Sequence, residues 1–511
     1  MVAPDMAVVP GLRSSTISDA LDSAAGRFND RTALTYDGRT WTYTQLNAAV
    51  SRVAAQLIDK GLAKGSRVAA YGQNSDAFAL LFLACARVGL IHVPINYALT
   101  GAELSYILDQ SDAQAIYVDS HLAQYVDDLT DLPAIRGSFT DGPDSILAIA
   151  QGADEPVVDV AVEDGDIVQL LYTSGTTSRP KGSIMTHRAL LHHYVSSLVA
   201  LDLRRDDIQL LPMPLYHSAG MHVFLLPYLM VGATTHLMQV PVVPTILERI
   251  ERDQITSIFL APTVWVPLSQ HPDFSTRDLS SLKKAQYGAS IMPVPVLKRI
   301  QKTLPAVGFY NCFGQSEIGP LSTVLRPEDH EDRPDSCGRP VLFVQMRVVD
   351  SDMNDVAVGD SGEVIYRSPQ LCLGYWDNPE ASEEAFKGGW FHSGDLATID
   401  AEGFITVIDR IKDVINTGGV LVASREVEDR LYEHPAVAEV AVVGMPDEKW
   451  IEAVTAYVVR RNDVTQEELI AHCKQTLAKF KIPKTVRFVE ELPRNASGKL
   501  LKRVLRDSDS A

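Results

Sequence analysis

The sequence predicts an α/β protein that ends in a second, smaller α/β domain, and three patterns predict it. Through the first two thirds of the chain, short apolar runs alternate with longer helical stretches, the pattern of parallel sheets flanked by helices. From about Gly338 the runs shorten and carry turn residues between them, which predicts a small β-rich region. After Arg410 the mixed pattern resumes in a tail of about a hundred residues, an ordinary domain size. The expected architecture is a large N-terminal domain, 1–410, of two sheet-plus-helix subdomains and a small β-rich subdomain. A mobile C-terminal domain, 411–511, follows, hinged near Lys412.

Taken in order, SRVAAYG at 66–72 precedes the helical DAFALLFLACARVG, HVPIN at 92–96 precedes ELSYILDQS, and AQAIYVD at 113–119 completes a first set of strands. IVQLLYT at 167–173, IQLLPM at 208–213, SIFLAP at 257–262 and KAQYGA at 284–289 form a second set. Between them MHVFLLPYLMVG, 221–232, reads as a buried helix whose near side walls an apolar channel. QMRVVDSDMNDVAVGDSGEVIYR supplies short strands of the β-rich region. In the tail, AEVAVVGMP, AVTAYVVR and TVRFVEELP are strands, and REVEDRLYEH and TQEELIAHCKQTLAKF are amphipathic helices. No Pro/Ser-rich tether precedes the tail, so relative motion must pivot on a few residues near Lys412.

Composition narrows the function classes. The chain has 511 residues, 46% of them hydrophobic, enough for more than one core. A net charge of -19 disfavours a nucleic-acid binder, because phosphate backbones demand basic patches. The five cysteines, 85, 312, 337, 372 and 473, are scattered and form no C-x-x-C, so they read as reduced thiols of a cytoplasmic protein. Neither a leader pattern at the first residues nor a run of eighteen apolar residues is present, so no membrane span is expected. His192 and His193 lack carboxylate or cysteine partners at ligand spacing and read as packing rather than metal ligands.

The chemistry is concentrated in motifs. YTSGTTSRPKG, 172–182, is dense in glycine and hydroxyls and closes on Lys181. Gly175 lets backbone approach an anion, Thr173, Ser174, Thr176 and Thr177 donate, and Lys181 supplies charge, which suits a loop folded around phosphates. It is not a Walker loop, since Lys181 follows Pro180 and precedes Gly182. Four further segments follow: YNCFGQSEIG at 310–319, GGWFHSGDLA at 388–397, VIDRIKDVINTGG at 407–419 and PRNASGKL at 493–500.

In order and spacing these five segments resemble the adenylate-forming superfamily of acyl-CoA synthetases, luciferases and peptide-synthetase adenylation domains. The resemblance implies an AMP-forming acid–thiol ligase with ATP, Mg²⁺ and CoA as its cofactor and substrates. Its expected partners are a small carboxylic acid, ATP, CoA and at most a second copy of the chain. It also implies roles. Glu317, with Thr173, holds the metal; Ser316 touches the α-phosphate; Asp395 binds the ribose; Arg410 adds a donor to the nucleotide. Gly288 and Ala289 lie over the adenine, and Gly314 lies where a Cβ would crowd the acyl adenylate. Lys499 is the catalytic cation of the first step, assisted by Thr173 and Lys181, and His217 stands beside the acyl carboxylate. Lys412 is the hinge, and Gly418 and Gly419 line the passage for the CoA arm.

The apolar residues near 215–231 and 258–268 favour a hydrophobic acid, medium- or long-chain fatty first and aryl or phenylpropenoic second. An adenylating enzyme that loads a carrier protein is the rival reading, and a noncatalytic relative is opposed by the joint presence of Thr173, Lys181, Glu317, Asp395, Arg410 and Lys499. Departures from the pattern cluster in the tail. Val420 and Leu421 replace a carboxylate and an amide, Ile451 replaces a glycine, and Asn416 stands where many relatives carry lysine. Ser178 replaces a glycine in the phosphate loop, a mild change because serine tolerates turns.

Overall fold

The computed structural model describes residues 15–173, 179–418, 420–447, 450–494 and 500–507. A six-stranded sheet runs in the spatial order Ile135–Ser138, Ala115–Val118, Arg67–Tyr71, Ile91–Ile95, Ile167–Thr173, Lys181–Thr186. Its pairs are parallel until the last, where Ile167–Thr173 and Lys181–Thr186 form an antiparallel hairpin. The helix Asp76–Arg87 packs close to it and is apolar almost all round, so it is buried on every side rather than along one stripe. Its buried Asp76 accepts from Arg39 Nε at 2.8 Å, Arg39 Nη2 at 2.9 Å and Trp41 Nε1 at 2.9 Å. Those three donors answer the desolvation of the carboxylate.

A nine-stranded sheet forms the second layer, in the order Arg339–Pro340, Leu321–Leu325, Gly308–Gly314, Lys284–Gly288, Ser257–Leu260, Ile208–Leu211, Thr234–Leu237, Thr32–Tyr36, Arg39–Thr42. The strand at 167–173 is therefore not part of this set, as its sequence neighbours suggested. Its hairpin partner and its pairing of Gln169 with His92 place it in the first sheet. An apolar run states that a strand is buried, but not which sheet buries it.

The stretch at 221–232 is likewise more than one helix. Ala219–Leu225 is wound as a π-helix and continues as the α-helix Leu226–Val231, which Gly232 ends in the left-handed region. Wide turns of this kind are uncommon and recur beside functional sites. A chain of neutral hydrogen bonds ties the π-helix to the first sheet. Tyr194 Oη donates to His222 Nδ1 at 2.8 Å, His222 Nε2 donates to Gln169 Oε1 at 2.6 Å, and Gln169 Nε2 donates to His92 Nδ1 at 3.0 Å.

The β-rich region is a four-stranded antiparallel sheet of Gln345–Val349, Ser361–Arg367, Phe391–Ile399 and Ile405–Arg410. A single 3₁₀ turn, Ile411–Asp413, leads from its last strand into the C-terminal sheet. There Val420–Val422, Ile415–Thr417, Ile451–Arg460 and Val437–Asp447 pair antiparallel, and Thr485–Val489 joins Ile451–Arg460 in parallel. Helices Ser424–Tyr432 and Gln466–Lys474 match the expected amphipathic segments, the second stopping well short of Phe480. The C-terminal residues build their own apolar clusters around Val427, Val442, Val458 and Tyr457.

All five cysteines are buried free thiols. Burial pushes Cys337 and Cys473 up to about 11 and Cys85, Cys312 and Cys372 higher still. Among the described residues no helix is long and apolar enough to cross a membrane.

Candidate active site

The phosphate-loop motif is the connection of a β-hairpin. Thr173 at the end of one strand faces Lys181 at the start of the next. Ser174, Gly175, Thr176, Thr177 and Ser178, between them, lie outside the described residues. Segment 373–376 runs along the hairpin, with Ile184 N donating to Gly374 O at 3.0 Å and Trp376 N to Gly182 O at 2.8 Å. That brings Tyr375 into the site. Its hydroxyl donates to Glu317 Oε1 at 3.1 Å, and Thr173 Oγ1 donates to the same oxygen at 3.2 Å. The ammonium of Lys181 lies 5.1 Å from the centre of the Tyr375 ring, within cation–π range. Burial, and next the Glu317 charge, push the Tyr375 phenol well above its usual range, so it remains a donor.

Glu317, only 7% exposed, sits on the 3₁₀ turn Ser316–Ile318. The backbone around it is too tight for larger residues. A Cβ on Gly314, whose φ is +152°, would stand 1.9 Å from Pro320 O, and one on Gly288 would stand 2.2 Å from Cys312 O. Gly314 is thus required by the protein's own chain, a reason independent of the acyl group for which it was singled out. Ala289 holds φ at +65°. Ser316 Oγ lies 2.9 Å from Ser218 Oγ, so the 214–218 loop that carries His217 meets the Glu317 turn directly. His217 is half-buried, its Nδ1 accepting from Ala219 N at 3.4 Å at the mouth of the π-helix. Tyr216 beside it packs edge-on against Tyr97, ring centres 5.6 Å apart.

Asp395 and Arg410 face each other across two antiparallel strands of the β-rich sheet. Arg410 Nε lies 2.8 Å from Asp395 Oδ1, and Arg410 Nη1 donates to Ser393 O at 2.9 Å. The Arg410 charge is also felt at Tyr375, where it opposes the rise caused by burial and Glu317. The carboxylate–arginine pair and the Glu317 cluster therefore share one electrostatic neighbourhood. Contacts bring Thr173, Lys181, Ser316 and Glu317 together, and Asp395 pairs with Arg410 on the β-rich sheet.

The remaining candidates are not joined to that cluster by a described contact. Lys499 and Gly419 lie outside the described residues. Lys412 is exposed on the 3₁₀ turn between the sheets. Gly418 holds φ at +66° and its N–H donates to Trp450 O at 2.5 Å, on the C-terminal sheet. His193 is buried, its Nε2 accepting from Leu321 N at 3.1 Å, and His192 packs edge-on against Phe343. Among the described residues no group of three His, Cys, Asp or Glu could hold a metal. One buried carboxylate flanked by hydroxyl oxygens still fits Mg²⁺, which takes few protein ligands and completes its shell with substrate phosphates and water.

Sequence reasoning missed Tyr375 and Ser218. The signal for Tyr375 was faint, an aromatic residue directly after Gly374, whose φ is +141°. It also missed a polar joint beside the 3₁₀ turn Ile411–Asp413. Asp409 Oδ2 accepts from Ser424 N at 3.1 Å and from the Ser424 hydroxyl, which in turn accepts from Lys502 Nζ. Lys502 pairs with Glu428 at 2.9 Å, and Arg506 pairs with Asp413 at 2.7 Å.

Comparison with known proteins supplies the family. Residues 21–376 match the family described as AMP-binding enzyme, and residues 426–499 match the AMP-binding enzyme C-terminal domain. The chain is 34% identical over 477 residues to a feruloyl-CoA synthase of Amycolatopsis sp, covering 92% of this chain and 94% of that protein. It is 35% identical over 481 residues to the long-chain-fatty-acid–CoA ligase FadD13 of Mycobacterium tuberculosis, covering 92% and 93%. Its structure superposes with a TM-score of 0.91 on an anthranilate CoA ligase, AuaEII, solved in complex with anthranoyl-AMP, at 28% identity and 97% coverage of both chains. The chain belongs to the AMP-binding enzymes of the adenylate-forming superfamily and, within them, to the acid–thiol ligases.

Proposed function

We propose that this ligase activates a hydrophobic carboxylic acid, medium- or long-chain fatty in the first place, and passes it to CoA. In the first step a carboxylate oxygen attacks the α-phosphorus of ATP, the bond to pyrophosphate breaks, and an acyl adenylate forms. In the second the CoA thiol attacks the acyl carbon and AMP leaves. The observation that carries this reading is Glu317, held by Thr173 and Tyr375 beside Lys181 and within the field of Arg410.

Glu317, with Thr173, would hold Mg²⁺, which when bound neutralises triphosphate charge. Lys181 and the 174–177 hydroxyls bind the departing phosphates. Ser316 orients the α-phosphate, Asp395 and Arg410 hold the ribose side, and Lys499 supplies positive charge to the transition state. Gly288 and Ala289 flank the adenine. His217, at the π-helix, faces the acyl carboxylate. The working boundary falls at 410/411, with Lys412 as the pivot and Gly418 and Gly419 bordering the thiol passage. Two arrangements of the C-terminal domain serve the two steps, because Lys499 and the thiol passage cannot both face one adenylate.

An aryl or phenylpropenoic substrate is the second reading, favoured by the similarity to feruloyl-CoA synthase. The test is acid-dependent pyrophosphate exchange, with hydroxamate trapping and thioester assay, over fatty acids from butyrate to stearate and substituted cinnamates. Longer fatty acids should exchange fastest and give thioesters with CoA. Cinnamates outrunning them would select the aryl reading, trapped adenylate without CoA thioester would select a carrier-protein acceptor, and exchange with no acid would overturn the assignment.

A further inference from the structure

Thr173 and Tyr375, the two donors to Glu317 Oε1, each stand next to a residue that one side chain joins from behind. That side chain is Gln110, half-buried near the end of the helix Gly101–Ser111. Its Oε1 accepts from Tyr172 Oη, and its Nε2 donates to Trp376 O at 2.8 Å. Successive side chains of an extended chain point to opposite faces. Tyr172 therefore turns to the helix while Thr173 turns to the carboxylate, and Trp376 and Tyr375 divide in the same way.

The surroundings are shaped for this reach. Tyr172 pairs with Gly182 across the hairpin, and a Cβ on Gly182 would stand 3.1 Å from Tyr172 Cζ, so the ring occupies the space a side chain would take. Arg67 links the helix end to Trp376: its Nε donates to Ser111 O at 3.0 Å, and its guanidinium lies 5.6 Å from the centre of the Trp376 ring. One turn earlier on the same helix face, Tyr106 Oη donates to Pro180 O at 3.1 Å, at the other foot of the phosphate loop. The strand Ile167–Thr173 is held on both edges, by Ile91–Ile95 and by its hairpin partner. Segment 373–376 is instead laid on the outer edge of Lys181–Thr186, and the placing of Tyr375 depends on it. Of the two groups that Gln110 joins, the segment is the one with room to drift.

We infer that Gln110 is a positioning residue of the adenylation step. It draws segment 373–376 against the hairpin from the face opposite the site, and so keeps the Tyr375 hydroxyl on Glu317. Gln110 acts through Tyr375 rather than on nucleotide or acid. The inference rests on the reading of Glu317 as the metal-holding carboxylate of the ATP site.

The test compares Gln110→Met, Gln110→Glu, Tyr375→Phe and the double variant Q110M/Y375F with wild type. Acid-dependent pyrophosphate exchange is measured with the fastest acid of the fatty and cinnamate series, and thioester formation with CoA is started from that acid's preformed adenylate. Gln110 is half-buried, so its variants should fold, and thermal melting checks this. Gln110→Met nearly keeps the side chain's length and removes both hydrogen bonds. Gln110→Glu still accepts from Tyr172 but, ionised at neutral pH, has no proton for Trp376 O. Each should slow exchange at saturating ATP about three- to tenfold, the worth of one hydrogen bond, with KM for ATP within about twofold. In the Tyr375→Phe background Q110M should slow exchange by less than about twofold further, because the hydroxyl it positions is gone. Thioester formation from the preformed adenylate should stay within about twofold of wild type, since no pyrophosphate leaves in that step. A merely structural role would slow both half-reactions alike, and its cost would add to that of Tyr375→Phe. Additive losses, or exchange by Gln110→Glu within about twofold of wild type, would overturn the inference. Wild type without acid-dependent exchange would instead remove the ATP-site reading beneath it.

Discussion

Glu317 accepts two hydroxyl donors on one oxygen, from Thr173 and Tyr375. A hydrogen bond to a charged group is worth about 1.5–3 kcal/mol. Tyr375→Phe removes one donor and keeps the ring under Lys181, so exchange should slow about tenfold with little change in ATP affinity. Glu317→Gln should cost about a hundredfold and shift the Mg²⁺ dependence to higher concentration, and a Mg²⁺ titration of exchange rates would check both. Thr173, Lys181 and Glu317 were legible in the sequence because each sits in a segment whose residue types already state a chemistry. Tyr375 was not, because LGYWDN has the composition of any turn, and only the backbone pairing of 373–376 with the hairpin brings its hydroxyl to the carboxylate.

Elements were read more surely than their partners. The runs at 67–71, 115–118 and 208–211 are strands as their patterns require, yet the strand at 167–173 changed sheets and the helix at 221–232 opened into a π-turn. Both outcomes depend on contacts far apart in the chain, such as Gln169 with His222, which local periodicity does not encode. The joint around Lys502 was equally invisible, being assembled from 409, 424, 428 and 502. Burial pushes the Lys502 ammonium down, but Glu428 and Asp409 more than offset it and hold it above its usual value. Lys502→Met leaves the buried Asp409 and the half-buried Glu428 without their cation and should destabilise by about 3 kcal/mol. Chemical denaturation would measure the loss, and limited proteolysis should show faster cleavage near 411–414.

For the molecule as a whole, the interior is built around neutral imidazoles. Burial pushes His92 and His193 down to about 3 and His187 to about 4, and holds His222 far below its usual value. The unfolded chain takes up these protons near pH 6.5, whereas the folded chain refuses them until well below. Stability should therefore be level above about pH 6.5 and fall on acidification, by up to about 1.4 kcal/mol per pH unit for each histidine. Urea midpoints that stay constant from about pH 7 down to pH 5 would contradict this. The cysteines carry a different consequence. The Cys312 backbone backs directly onto Gly288, and Cys372 donates its N–H to Glu317 O at 2.8 Å, so two buried cysteines belong to the segments around the Glu317 turn. An acyl adenylate is a mixed anhydride open to attack by any thiolate within reach. Both thiols are buried, and that burial raises their pKa, which disfavours the thiolate that would make such an attack from within the protein.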